Sequence, residues 1–138
     1  MGAFSDVPGL VSTGNISPYR FVKADTSADN SAAQASAVTD KILGVTDQST
    51  RQFDSAYHAI SGDPITLQGG DVVLIEVGAS VTRGALLQPD SNGKAITAVT
   101  TATGAGVTNS QPLVALESGG ADGVIIRAFW SKNTTAYN

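Results

Sequence analysis

The chain has 138 residues, a formal net charge of −4 and no cysteine, so it is long enough to bury the core of one domain but has no disulfides, thiolate metal sites or cysteine nucleophile. Eight Lys and Arg, a pI near 4.6 and no basic run exclude the clustered positive charge that nucleic acid or an anionic membrane requires. Charged residues make up 14% of the chain, against roughly a quarter in an average domain, so much of the surface is expected to be neutral.

Residues 1–17 mix Gly, Pro, Ser and Asn with the isolated apolar residues Phe4, Val7, Leu10 and Val11, in neither a helical nor a strand period. They read as an extended arm whose apolar side chains dock on something; the plainer alternative is a disordered terminus. There is no positive n-region followed by an apolar stretch, and no window approaches the roughly 18 consecutive apolar residues of a membrane span. A soluble product made in a cytoplasm is expected, with an arm over residues 1–15 and one β-rich domain over residues 16–138.

Residues 17–24 (SPYRFVKA) carry Tyr19, Phe21 and Val22 and read as the first strand, with Pro18 tolerated at its start. Residues 25–40 are ambiguous. Their alanines favour helix, with Asp29 or Asn30 as N-cap, but they lack an apolar stripe. Residues 41–45 (KILGV) suit a buried strand, and residues 48–62, holding Phe53, Tyr57, His58 and Ile60 among polar neighbours, read as a long loop. Residues 71–77 (DVVLIEV) are the clearest strand. Val73, Ile75 and Val77 lie on one face and Val72, Leu74 and Glu76 on the other, so both faces are expected to be covered, one by the core and one by a neighbouring layer or subunit.

Residues 81–88 form another strand candidate, and Asn92-Gly93 predicts a type I′ hairpin. Residues 95–106 read as an exposed strand and a Gly-containing loop. Residues 112–116 and 124–130 (VIIRAFW) supply the last strands across a Gly/Asp turn, followed by a polar tail. About seven short strands at close spacing imply a mainly β fold, a small sandwich or barrel with at most one short helix.

The order of residues 16–23 (ISPYRFVK), 41–47 (KILGVTD), 70–77 (GDVVLIEV), 84–94 (GALLQPDSNGK) and 114–126 (VALESGGADGVII) resembles the capsid-cement, or head-decoration, family of tailed phages. The resemblance lies in the order and spacing of short motifs across residues 16–130. Two departures stand out: the segment 49–64 is longer than the family's usual connection, and Gly119 stands where Ala is common. The resemblance implies a subunit similar in role to the phage lambda head-decoration protein. Such a subunit is a homotrimer on the outer surface of the virion capsid, bound to the major capsid protein and stabilising the expanded shell against packaged DNA.

In that setting Phe4, Val7, Pro8, Leu10 and Val11 are the candidate capsid contacts, by strand addition or by ordering on binding. Tyr57, His58, Phe129 and Trp130 are candidates for the trimer interface, the last two with the subunit core as the alternative. No catalysis, cofactor or metal is expected. His58 has Asp54, Ser55, Ser61 and Asp63 nearby in sequence, but no G-x-S-x-G elbow supports a hydrolase. Residues 90–94 (DSNGK) lack the remaining ligands of a calcium loop, and residues 103–107 (TGAGV) lack a Walker lysine. A different class remains open, a carbohydrate- or receptor-binding β module of a head fibre or tail structure, although few aromatics are present to stack on sugars.

Overall fold

The computed structural model describes residues 9–48, 56–98 and 107–137, with side chains for 9–48, 56–98 and 112–130. Nine strands occur there, β1 (Val11–Ser12), β2 (Phe21–Ala24), β3 (Ser31–Gln34), β4 (Ile42–Val45), β5 (Val72–Glu76), β6 (Leu86–Pro89), β7 (Ala95–Thr97), β8 (Val107–Ala115) and β9 (Ile125–Tyr137). They divide by chain order into a four-stranded sheet, β1-β3-β2-β4, and a five-stranded sheet, β5-β9-β8-β6-β7. The fold is mainly β and sandwich-like, as the strand spacing predicts.

The period-2 alternation of β5 explains the second sheet. Val73, Ile75 and Val77 point inward and are buried with Leu87, Leu113, Ile126 and Ala128 in the main core. The sheet curls until Val77 bridges Ala95 of β7, and the Gly78 amide donates to the Ala95 carbonyl at 2.9 Å, a nearly closed, barrel-like arrangement. Phe21, Ala35 and Val45 of the first sheet and its flank complete this core.

The first sheet has apolar residues on both faces. Val22 and Ala32 form a second cluster with Ile16, covered by Leu10, Ile65 and Leu67. The cover comes from the segment 59–68, which bridges Ile16 through Ala59, Val11 through Pro64 and Thr46 through Leu67. Residues 59–68, which begin at the end of the stretch read as a loop and run past it, are therefore a strap that closes the edges of β1 and β4 and roofs the sheet. Residues 49–55 of that excursion lie outside the described residues.

Several local expectations are corrected. Residues 31–34 are a strand, parallel to β1 and antiparallel to β2, and no helix occurs among the described residues. Asn30 is not an N-cap; it takes φ 57° in the turn before β3, a conformation that Asn tolerates better than most residues. Residues 17–20 precede the strand expected there, with Tyr19 at φ 58°. The hairpin between β6 and β7 exists, but only Gly93 has positive φ, at 74°, so the turn is not type I′. Asp90 drives this choice: its carboxylate accepts from the Asn92 and Lys94 amides at 2.7 and 3.0 Å, holding a wider loop. The tail expected to be merely polar continues β9 to Tyr137, paired with β8 as far as Val107↔Tyr137.

Candidate docking surface

Turn chemistry locks the two sheets together. The β6–β7 tip sits against β2 and β3: the Phe21 amide donates to the Gly93 carbonyl at 2.9 Å, and Arg20 Nη1 and Gln34 Nε2 each donate to the Asn92 carbonyl at 2.8 Å. Beside it, Glu76 Oε2 lies 3.3 Å from Arg20 Nη2 and 3.2 Å from Lys94 Nζ, and Lys94 Nζ lies 2.8 Å from Asp122 Oδ1. This chain of charges joins β5, the start of β2, the β6–β7 tip and the β8–β9 turn.

The Lys94 ammonium, donating a hydrogen bond, holds the Asp122 carboxyl below its ordinary 3.8, and the same bond raises Lys94 above 10.5. A carboxyl lowered on folding stabilises the fold above its unfolded pKa, and that contribution disappears as pH falls through the folded pKa. The Lys94 contribution is present below its unfolded pKa and is lost only as pH rises through the folded one. Asp122→Asn should therefore flatten the decline of melting temperature between about pH 5 and about pH 3 relative to the parent chain. A parent and variant with parallel acid limbs would show that the pair does not couple to folding.

His58, in the stretch that reads as a long polar loop, is only 1% exposed. Nδ1 lies 3.0 and 3.1 Å from the Asp47 and Gln48 carbonyls, and Nε2 accepts from the Thr66 amide at 2.9 Å. Two carbonyls facing Nδ1 and an N–H facing Nε2 assign the neutral tautomer with its proton on Nδ1. Both nitrogens are thus engaged with backbone, and neither is placed to take a proton from a serine. Ser55 and Asp54 lie outside the described residues; Asp63 Oδ2 accepts from the Ile60 amide at 3.1 Å. No group of three or more potential metal-ligating residues occurs among the described residues.

The other candidate residues divide. Phe4, Val7 and Pro8 lie outside the described residues. Leu10 is built into the second apolar cluster, while Val11, in β1, keeps an exposed side chain. Tyr57 is half-buried beside His58. Phe129 and Trp130, adjacent on a strand, point to opposite faces: Trp130 packs on the main core and Phe129 stands outside.

Phe129 belongs to a larger feature. The registers Val72↔Phe129, Phe129↔Val114 and Val114↔Leu86 set one apolar row across four strands on the outer face of the five-stranded sheet. Leu74 stands opposite Arg127 and Ile125 opposite Glu76 in the neighbouring rows, and Leu116 is joined to Arg127 by its amide, which donates to the Arg127 carbonyl at 3.0 Å. Arg127 Nη1 pairs with Glu117 Oε2 at 3.3 Å. The exposed edge of β5 is occupied by Gln68, whose side-chain amide exchanges hydrogen bonds of 2.7 and 2.8 Å with the Leu74 backbone. Gln68 Nε2 also reaches the Thr46 carbonyl at 3.0 Å, so one side chain ties the sheets and blocks strand addition at Leu74. The sequence placed Val72 and Leu74 on a face that needs cover and singled out Phe129, but it did not bring Leu116 and Ile125 to the same face, which the registers do.

No protein-family profile matches the sequence, and no curated protein sequence matches it. Among solved structures, the fold is similar to the N base of the head fibre gp8.5 of bacteriophage phi29, with a TM-score of 0.64 and 14% identity over 93% of this chain and 95% of that one.

Proposed function

We propose that this chain is a non-enzymatic structural protein of a tailed-phage head, a homotrimer that docks on the outer surface of the capsid and braces the major capsid protein lattice. The observation that carries this reading is the likeness in fold to a phage head fibre base over nearly the whole length of both chains. The motif order of residues 16–130 points the same way independently. Docking is multivalent: three modest footprints on one trimer act at high effective concentration, so no single contact has to be tight. Phe4, Val7 and Pro8, together with the exposed Val11, are the proposed capsid contacts.

The test mixes the purified protein with expanded, undecorated heads. Co-sedimentation with heads and a higher head-disruption temperature are expected. A chain lacking residues 2–8 should bind at least about tenfold more weakly, because avidity multiplies a loss at each footprint. Protein that stays in the supernatant would defeat the reading, and equal binding by the truncated chain would remove the arm from it.

The likeness to a head fibre base favours a second reading, in which this domain is the base of a fibre with a carbohydrate- or receptor-binding role. Electron micrographs of decorated heads separate the two, by compact knobs for a cement subunit or projecting fibres for a base. Glycan-array binding would favour the fibre.

A further inference from the structure

We infer that the outer face of the five-stranded sheet, centred on Val72, Leu74, Leu116, Ile125 and Phe129, is the surface on which another copy of this chain packs. This deepens the function proposed above by naming the surface through which copies join, and it rests on that reading only for its relevance to the head.

The two sheets are treated differently by their own chain. The outer face of the first sheet, around Val22 and Ala32, is roofed by the segment 59–68. The outer face of the second has no such roof among the described residues, yet Val72, Leu74, Leu116, Ile125 and Phe129 stand on it. An antiparallel sheet facing water normally alternates apolar-in with polar-out; apolar residues on both faces are the pattern of a sheet covered on both.

The five side chains are each 38–48% exposed, which amounts to on the order of 400 Å² of apolar surface. An interface core is about 65% apolar, so this area corresponds to roughly 600 Å² per partner. A stable complex buries about 600–1,000 Å² per partner, and this face, with the half-buried Val114 and Leu86 beside it, meets the lower end of that range. The charges on this face are paired within one copy, Arg127 with Glu117 and Glu76 with Arg20 and Lys94, so identical faces meet without an unpaired carboxylate.

The occupant is a second copy and not the shell because the face is permanent. A partner that arrives only at assembly leaves it open from synthesis onward, an aggregation hazard, whereas other copies are present from the start. The distal β8–β9 ribbon continues the same sheet. Beyond Leu87↔Leu113 and Val72↔Phe129, only β8 and β9 pair with each other among the described residues. Three such faces around one axis close an apolar centre in which each is covered.

The test uses the full chain in light scattering and thiol labelling. The parent should have the mass of three 14.0 kDa subunits, and Phe129→Glu should be a monomer that keeps the parent's far-ultraviolet circular dichroism. Leu43→Glu, equally exposed on the first sheet, should leave the mass unchanged. Because the chain has no cysteine, Leu74→Cys and Leu43→Cys each present a single thiol, and this comparison does not depend on a disruptive variant. In the assembly, Leu74→Cys should react with a maleimide at least about tenfold more slowly than Leu43→Cys, as expected of a packed interface core. A monomeric parent, or a multimer in which the two thiols react equally fast, overturns the inference. A dimer with a protected Leu74→Cys supports the surface and contradicts the trimer. A multimer with that protection that ignores heads supports the surface and defeats the head-docking function alone.

Discussion

Gly93→Val should lower the melting temperature by about 10–20 °C, equivalent to roughly 3–5 kcal/mol of folding free energy. Two independent penalties combine. Gly93 has φ 74°, where a β-branched residue is strained by about 1–2 kcal/mol. A Cβ there would also stand 2.8 Å from Gln34 Cγ, 3.1 Å from the Ala35 carbonyl oxygen and 3.3 Å from the Phe21 carbonyl oxygen. Gln34 can swing aside, but the two carbonyls belong to the backbone around β2 and β3 and cannot retreat without parting the hairpin tip from the first sheet. Gly84 separates the two effects: it also has positive φ, 87°, with nothing within 4 Å of an added Cβ. Gly84→Ala should therefore show the conformational penalty alone, about 1 kcal/mol, and Gly93→Ala distinctly more. Equal losses at the two positions, measured by urea denaturation, would mean that the tip is not wedged between the sheets.

His58→Ala is expected to destabilise the chain by about 3 kcal/mol. The substitution leaves the Asp47 and Gln48 carbonyls and the Thr66 amide without their imidazole partner and opens a void the size of the ring. Because those groups lie in the strap and in the segment after β4, the damage should begin locally. Amide hydrogen exchange at Thr66 and Leu67 should accelerate well before exchange in β5 does. In the parent chain, nitrogen NMR should find the proton on Nδ1. A proton on Nε2, or exchange at Thr66 unchanged by the substitution, would contradict the role of the ring as a clip.

The legible parts of this fold are those where local pattern and tertiary demand agree. In β5 the alternation of Val73, Ile75 and Val77 with Val72 and Leu74 identifies the strand, its faces and the need to cover both. β4 was legible as a short apolar run. Strand β3 was not: Ser31, Ala32, Ala33 and Gln34 have little strand propensity, and their conformation comes from pairing with β1 on one side and β2 on the other. The same holds for residues 131–137, whose polar side chains hide a register dictated by β8. At the β6–β7 tip, Asn92-Gly93 announced the turn, but the Asp90 carboxylate decided its type.

Of the candidate residues, Phe129 was recognisable as an aromatic near the end of a strand, whereas its assignment to one face depended on the register with Val72 and Val114. His58 was misplaced for the opposite reason. Its sequence neighbours are polar, and the groups that bury it, at Asp47, Gln48 and Thr66, are 8–11 residues away in sequence. The long segment after residue 48 reads as a loop that carries two interface candidates, Tyr57 and His58. Residues 59–68, at its end and just beyond it, roof the first sheet, and the lack of an equivalent roof on the second among the described residues directs attention to Val72, Leu74 and Phe129.

The most direct test of the central claim is a cryo-electron microscopy reconstruction of expanded heads incubated with this protein. The account predicts added density on the outer surface at symmetry-related positions between capsid subunits, into which three copies fit with their five-stranded sheets facing one another. Heads that reconstruct bare at saturating protein, or density confined to the inside of the shell, would contradict it.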